Sequence, residues 1–98
     1  MIESFGNAEA KTVFENGKSK KLPKHLLQRA IDLLDIMDNV ESLNDLQVKG
    51  HPPSLRLHKL TGSKKGRYAI DINKTAGWRI TFKFQDGAFH EVFVEDYH

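Results

Sequence analysis

Residues 68–94 read YAIDINKTAGWRITFKFQDGAFHEVFV, and this stretch decides the fold. Apolar and polar residues alternate with a period of two in three segments, at residues 68–72, 78–84 and 89–94. Such alternation is typical of β-strands with one buried face. Turn-forming residues fill both short gaps between the segments, so we expect consecutive strands to pair as an antiparallel meander.

Two further segments extend this sheet. Residues 55–58, LRLH, continue the period of two and predict a preceding strand, which the turn at residues 61–63 joins to the meander. Residues 2–5, IESF, predict a short strand at the start of the chain. The C-terminal half is therefore predicted to be mainly antiparallel β-sheet.

The N-terminal half carries helical patterns instead. Asn7 suits a helix N-cap and Gly17 a helix C-cap, with apolar residues at helical spacing between them. A longer helix begins near Pro23, and its apolar stripe comprises Leu26, Ala30, Leu33, Leu34 and Met37. Residues 40–54, which include Asn44, Gly50 and a Pro-Pro pair, predict an irregular connector.

The order of these elements predicts the fold class. Helices followed by strands favour an α+β fold, in which a short N-terminal strand and two helices pack on a mainly antiparallel C-terminal sheet. With 98 residues and 39% hydrophobic content, we expect one domain spanning residues 1–98.

Composition narrows the functional classes. The chain has no cysteine, which excludes disulfides and thiolate metal sites. No histidine pair has the His-x-x-x-His spacing, so neither a metal nor another cofactor is expected. Residues 1–5 do not resemble the start of a signal peptide and no run is long enough to span a bilayer, which favours a cytoplasmic protein without a membrane partner.

The positive charges are clustered, although the net charge is only +2. One cluster precedes and begins the second helix and another occupies a later turn: Lys18, Lys20, Lys21 and Lys24, then Lys64, Lys65 and Arg67. Such clusters can follow a phosphate backbone, so they and Lys59 are candidate contacts to RNA or the ribosome. The alternative is that each cluster is an ordinary solvated surface.

Two strands carry candidate site residues. In residues 78–84 the apolar set should face the core, which places Arg79 on the outward face with its fork of donors suited to phosphate oxygens. His58 enters the same groove if its polar face is continuous with that of Arg79. The alternatives are an exposed strand arginine and a structural or surface histidine.

The last four residues, EDYH at 95–98, bring titratable groups to the end of the final strand. RNA is cleaved without a metal when a base takes the 2′-hydroxyl proton, a cation stabilises the phosphorane and an acid protonates the leaving oxygen. His58, Arg79, Asp96 and His98 supply these groups. Alternatively, the terminal residues serve only as a turn cap, a packed ring and a solvated end.

Several motifs together resemble the HigB toxins of the RelE superfamily. They are LHKLTG at 57–62, GRY at 66–68, WRITF at 78–82 and EDYH at 95–98, with IESF near the start. The resemblance implies a ribosome-dependent mRNA endoribonuclease, or mRNA interferase, that cleaves mRNA in the ribosomal A site and inhibits translation. It also implies a HigA-like helix-turn-helix antitoxin as partner, through which alone the toxin would meet DNA.

The resemblance also implies roles for individual residues. The catalytic histidine corresponds to His58, the phosphate-contacting arginine to Arg79, and the terminal cluster to Asp96, Tyr97 and His98. Either Asp96 or His58 is then the general base, His98 is the acid, and Tyr97 stacks on or hydrogen-bonds the nucleotide.

One position departs from the family pattern, since many relatives have a lysine where this chain has Thr61. Lys59 should point to the opposite face from His58 unless a bulge redirects it. Lys64, Lys65 or Arg67 could instead reach inward from the turn. We expect a slower or differently arranged nuclease.

Two other functions fit the same sequence. A noncatalytic inhibitor would resemble the gyrase-poisoning ParE branch of the superfamily, and would inhibit supercoiling while leaving mRNA intact. A ribosome-binding protein would arrest translation without a cut. The combination of His58 with the terminal acid and imidazole favours the nuclease.

Overall fold

A computed structural model of the protein describes residues 1–48, 57–62, 66–73 and 77–96. Helices come first within these residues: α1 (Ala8–Asn16), α2 (Lys24–Asn39) and α3 (Leu43–Val48). Strands follow: β1 (His58–Lys59), β2 (Tyr68–Asp71), β3 (Trp78–Gln85) and β4 (Ala88–Asp96). The predicted α+β class is confirmed.

The strands form an antiparallel meander with the order β1-β2-β3-β4. Asp86 and Gly87 form the tight turn between β3 and β4, with φ angles of 52° and 77°. Positive φ at both central residues is the requirement of a type I′ hairpin turn, which an Asp-Gly pair meets. The meander predicted from residues 68–94 is therefore confirmed.

The predicted N-terminal strand is present in a reduced form. Ile2 and Phe5 make isolated parallel bridges to Phe89 and Val92. Between these bridges the ladder is interrupted at Glu91, whose backbone N–H donates to the Ser4 Oγ atom at 2.9 Å instead of to a carbonyl. The segment thus covers the β4 edge without becoming a continuous strand.

The hydrophobic core lies between α1, α2 and one face of the sheet. All five apolar residues of the predicted stripe on α2 are buried. Phe82 of β3 is fully buried on the sheet side, where its ring lies 4.9 Å from that of Phe89 and 5.9 Å from that of Tyr68. We call this side of the sheet the helix side.

Asn7 joins α1 to the sheet as well as capping it. Its Oδ1 atom accepts the Ala10 N–H at 3.0 Å, and its Nδ2 atom donates to the Val94 carbonyl at 3.0 Å. At the other end of α1, Gly17 adopts a left-handed conformation with φ of 65° and donates its N–H to the Val13 carbonyl. Both predicted caps are confirmed.

The predicted connector is wrong over part of its length, because residues 43–48 form the short helix α3. The Ser42 Oγ atom accepts the Asp45 N–H at 3.0 Å, which supplies an N-cap, and Leu46 is fully buried. A helix of six residues is unstable in isolation, and the Ser42 cap and the burial of Leu46 stabilise it here. The remainder of the connector, from residue 49 onward, lies outside the described residues.

No helix within the described part of the chain is both long and apolar enough to cross a membrane.

Candidate active site

The face of the sheet away from the helices, called the outer face below, is polar. The strand register and side-chain alternation place two cross-strand rows on it. The first row is Asp71, Arg79 and Glu95, and the second is His58, Ala69, Thr81 and Phe93. His58 and Arg79 therefore share one face, which was the condition for their entering one groove.

Arg79 lies on the outer face as the alternation predicted, but it is buried, with only 7% of its surface exposed. Asp71 of β2 and Glu95 of β4 are its direct cross-strand partners. Directly opposed residues have Cβ atoms roughly 5 Å apart. The alternative of an ordinary exposed strand arginine is thus wrong, and a carboxylate on each side allows the guanidinium to be buried.

Arg67 also covers the outer face, reaching it from the β1–β2 turn. Its Nη2 atom donates to the Thr81 Oγ1 atom at 3.2 Å and to the Glu91 backbone carbonyl at 2.7 Å. The guanidinium lies 4.9 Å from the centre of the Phe93 ring. Burial lowers the pKa of Arg67, while the charges of Glu91 and Glu95 act in the opposite direction.

Thr81 connects these groups. Its side chain is fully buried, and its hydroxyl donates to the Glu95 Oε1 atom at 3.3 Å while accepting from Arg67. A continuous path of polar contacts therefore leads from Arg67 through Thr81 to Glu95, the cross-strand neighbour of Arg79.

Phe93 has a close neighbour on the N-terminal segment. A Cβ atom added to Gly6 would lie 2.1 Å from the Cε1 atom of the Phe93 ring, well inside van der Waals contact. The backbone of Gly6 also donates to the Val92 carbonyl at 2.7 Å. Glycine is thus needed at position 6, because a side chain there would displace the Phe93 ring against which the Arg67 guanidinium packs.

His58 is exposed on β1, opposite Ala69. It lies two strands from β3 and two residues along from Arg79, a separation of roughly 12 Å between Cα atoms from ordinary strand spacings. Long side chains span much of that distance. His58 and the two arginines can therefore contact one nucleotide from different sides.

Lys59 lies on the helix side of the sheet, as expected from its position next to His58. Its Nζ atom is 5.8 Å from the centre of the Tyr68 ring, and Tyr68 stacks on Phe82. Thr61 is exposed beyond the end of β1. Of the candidates for a replacement cation, Arg67 reaches the outer face and Lys59 does not, while Lys64 and Lys65 lie outside the described residues.

Asp96 is not brought to the face that carries His58 and Arg79. Its cross-strand partner is Trp78, which places it on the helix side at the end of β4. There it borders a groove of about 490 Å³, which Trp78, Lys20 and Lys21 also line. Tyr97 and His98 lie outside the described residues.

Glu95 was missed as a site residue when the sequence alone was considered. Along β4, Val92 and Val94 are buried on the helix side, and Asp96 is in phase with them. Glu95 is in phase with Phe93 instead. This alternation was visible in the sequence and could have placed Glu95 on the outer face, whereas its pairing with Arg79 follows from the strand register.

The basic segment between α1 and α2 is accessible. Lys18, Lys20, Lys21 and Lys24 are all exposed. The Glu9 carboxylate accepts the Ser19 hydroxyl and the Lys21 backbone N–H, which fixes the loop against α1. Of these lysines, Lys20 and Lys21 line the groove at the end of β4. Among the described residues, no group of three or more histidine or acidic side chains is placed to hold a metal ion.

Comparisons with known proteins identify the family and the fold of this chain. A family model described as the RelE-like toxin HigB of type II toxin-antitoxin systems matches residues 3–98. The chain is 33% identical to the Endoribonuclease HigB of Proteus vulgaris over 98 residues, which is 100% of both proteins. It shares its fold with a crystal structure of a YafQ mutant from E. coli, with a TM-score of 0.53 at 13% identity, covering 97% of this chain and 94% of that one. A matching family model over almost the whole chain and a full-length relative show that this chain belongs to the HigB-like family of RelE-like toxins from type II toxin-antitoxin systems.

Proposed function

We propose that this protein is an mRNA endoribonuclease that cleaves messages on the ribosome and so inhibits translation. The observation that carries the proposal is the outer face, where His58 shares one surface with two guanidiniums, those of Arg67 and Arg79. A full-length relative is named an endoribonuclease, which supports the same activity.

The proposed reaction uses groups of the protein. A base removes the proton of a ribose 2′-hydroxyl, whose oxygen attacks the adjacent phosphorus. The bond from phosphorus to the 5′-oxygen breaks, and an acid protonates that oxygen. The products are a 2′,3′-cyclic phosphate and a 5′-hydroxyl end.

Arg79 is the proposed phosphate clamp. Its guanidinium is held in a strand that is paired on both sides, so a phosphate meets donors in fixed positions. Arg67 is the proposed second cation, and it provides the positive charge that many relatives obtain from a lysine at the position of Thr61. Its contacts to Thr81 and the Glu91 carbonyl support this role.

His58 is favoured over Asp96 as the general base, because only His58 of these two has the register of the outer face. The family resemblance supports His98 as the acid and Tyr97 as the group that stacks on the nucleotide. Asp96, from the end of the strand, would then act on the orientation of these terminal residues.

The exposed lysines between α1 and α2 are proposed contacts to ribosomal RNA. Two of them, Lys20 and Lys21, border the groove at the end of β4, which Glu95 and Asp96 also line. A protein of 98 residues offers little surface with which to bind RNA by itself. We therefore propose that the ribosome presents the mRNA to the toxin. Affinity that depends on these lysines should fall steeply with salt.

A type II toxin has an antitoxin partner. We propose a HigA-like antitoxin with a helix-turn-helix domain, through which the complex would bind DNA. The proposed site of action, on translating ribosomes, lies in the cytoplasm.

The test is to map 5′ ends on an mRNA in a purified translation system, with wild-type toxin and with ribosomes omitted. We expect cuts that require ribosomes. Arg79→Ala should lower the cleavage rate by about 100- to 1,000-fold, as does the loss of a preorganised donor to a developing oxyanion. His98→Ala and His58→Ala should each lower it by a similar factor or more.

Further variants sharpen this experiment. Lys83→Met is the matched control, because Lys83 is exposed on the same strand as Arg79 and should be dispensable. Replacing the four lysines of the α1–α2 segment by glutamine should weaken ribosome affinity and flatten its salt dependence. Intact mRNA with folded wild-type toxin would overturn the nuclease proposal, and assays of gyrase supercoiling and of translation arrest would then separate the two other functions.

A further inference from the structure

The outer face holds a chain of contacts that leads from Arg67 to the neighbour of Arg79, through two residues that have no role in the proposed reaction, Thr81 and Glu95. Arg67 donates to the Thr81 hydroxyl, and that hydroxyl donates to Glu95. Glu95 is in turn the direct cross-strand partner of Arg79. These residues come from the β1–β2 turn, β3 and β4, so the contacts join parts of the chain that are distant in sequence.

We propose that Thr81 is a positioning residue: its hydroxyl fixes the Glu95 carboxylate, and Glu95 then sets the orientation of the Arg79 guanidinium. The inference rests on the proposed function, because it assigns Arg79 the phosphate contact. It adds Thr81 and Glu95 to the residues on which the cleavage rate depends.

The burial of Thr81 argues that its hydroxyl has a purpose beyond folding. The residue is fully buried in the middle of β3. Valine has the same shape, a higher preference for strands and no polar atom to desolvate, so the two hydrogen bonds of the hydroxyl are what distinguish threonine from valine here. The Thr81 hydroxyl accepts a hydrogen bond from Arg67 and donates one to Glu95, so its proton has a single favourable direction.

The direction of that proton matters for Glu95. Because Arg67 occupies the acceptor side of the hydroxyl, the proton of Thr81 is left to point at the Glu95 Oε1 atom. The carboxylate is therefore fixed in position beside Arg79. A planar guanidinium aligns its donors with a carboxylate beside it, so fixing one plane fixes the other.

The far end of the chain of contacts is also fixed. Arg67 lies against the Phe93 ring and donates to the Glu91 carbonyl, while Phe93 lies against the backbone of Gly6. Arg67 thus acts on Thr81 from a constrained position. A displacement of the order of 1 Å in a group that contacts substrate can lower a rate about 100-fold.

The experiment compares Thr81→Val with Thr81→Ser in the ribosome-dependent cleavage assay. Valine removes the hydroxyl and keeps the shape, whereas serine keeps the hydroxyl. We expect Thr81→Val to lower the saturating single-turnover rate about 10- to 100-fold with little change in the half-saturating toxin concentration. Thr81→Ser should retain a rate within about threefold of wild type, since it preserves the hydrogen bonds.

A second readout follows Arg79 itself. The Nε atom of Arg79 is buried, so its N–H proton should exchange slowly and give a resolved NMR signal, assigned with Arg79→Lys. We expect this signal to shift or broaden in Thr81→Val and to remain in place in Thr81→Ser. Glu95→Gln keeps an acceptor but removes the charge, and it should lower the rate and shift the signal if Thr81→Val does not fold.

Each outcome has a distinct meaning. Failure of wild-type toxin to cleave would overturn the proposed function and this inference with it. Cleavage by wild type together with a full rate in Thr81→Val or Glu95→Gln would overturn the inference alone. So would equal losses in Thr81→Val and Thr81→Ser, or a slow Thr81→Val whose Arg79 signal is unchanged.

Discussion

Residues 79–82 of β3 are buried on both faces of the sheet, but for different reasons. Ile80 and Phe82 point to the helix side and Arg79 and Thr81 to the outer face, and each is less than a tenth exposed. The first pair is apolar and packs in the core. The second pair is polar and is buried among polar partners from β2, β4 and the β1–β2 turn.

This difference separates what the fold requires from what the site requires. Burying a large apolar side chain contributes about 1.5–3 kcal/mol to folding, so the helix side is explained by stability. Burying a paired charge contributes little, and apolar replacements of similar volume are often as stable or more so. The outer face is therefore more polar than folding alone demands, which is expected of a functional surface.

The strongest test of this comparison is Phe82→Ala on the helix side. Removing a fully buried phenylalanine should lower the free energy of unfolding by about 3–5 kcal/mol, measured by urea denaturation. The cleavage rate per folded molecule should change little at low temperature, where the variant remains folded. Arg79→Ala should also lower stability, because it leaves the Asp71 and Glu95 carboxylates without the buried cation between them, but its cleavage rate per folded molecule should fall by about 100- to 1,000-fold.

The control is Leu46→Ala, which also opens a cavity but lies in α3, away from β3. Leu46→Ala should destabilise the protein without changing the cleavage rate of the folded fraction. Loss of rate in Phe82→Ala but not in Leu46→Ala, at matched folded fractions, would show that the two faces of β3 are coupled.

A smaller loss of stability is expected at Asn7, which connects helix α1 to strand β4. Asn7→Ala removes the α1 cap and both contacts to Val94, and should cost about 1–2 kcal/mol in a urea titration. Asn39→Ala is the control, since the Asn39 side chain donates to the Asp35 carbonyl within α2 and that contact is exposed. Equal losses in both variants would remove Asn7 from its role as a link between α1 and β4.

Much of the fold could be predicted from local patterns. The stripe on α2 follows from helical spacing, and the β3–β4 hairpin follows from alternation with an Asp-Gly turn. Helix α3 could not be predicted in the same way, because its six residues are too few for a clear period. Its stability comes from the Ser42 cap and from a tertiary contact, the burial of Leu46.

The site was predictable only in part. Alternation predicted which residues share a side with Arg79 in its own strand and with His58 in its own strand, because the pleat of a strand fixes the side on which a residue lies. That these two polar sides form one face was a condition in the sequence, and the strand register meets it. The burial of Arg79 and its neighbours Asp71 and Glu95 depends on register between strands, which the local pattern does not contain. Arg67 reaches Thr81 across a distance of 14 residues in sequence, and only tertiary structure shows that contact.

The smallest expected effect concerns the ion pair of Lys83 and Glu91, which are 3.0 Å apart and about half exposed. The hydrogen bond from Lys83, followed by its charge, lowers the pKa of the Glu91 carboxyl below its ordinary value of 4.5. A lowered folded-state pKa means that the pair stabilises the protein above the ordinary pKa. That stabilisation is lost as the pH falls from there through the folded-state value.

An NMR titration of the Glu91 carboxyl checks this, and Lys83→Met should return its pKa towards the ordinary value. High salt should do so in wild type as well, because exposed pairs are screened. A Glu91 pKa that stays low in Lys83→Met would assign the effect to Arg67 or His90, whose charges also lower it. Lys83 lies on β3 with Thr81, and Glu91 lies on β4 with Glu95, but the Lys83–Glu91 pair is half exposed. If loss of this pair leaves the cleavage rate unchanged, burial rather than charge alone distinguishes the proposed site.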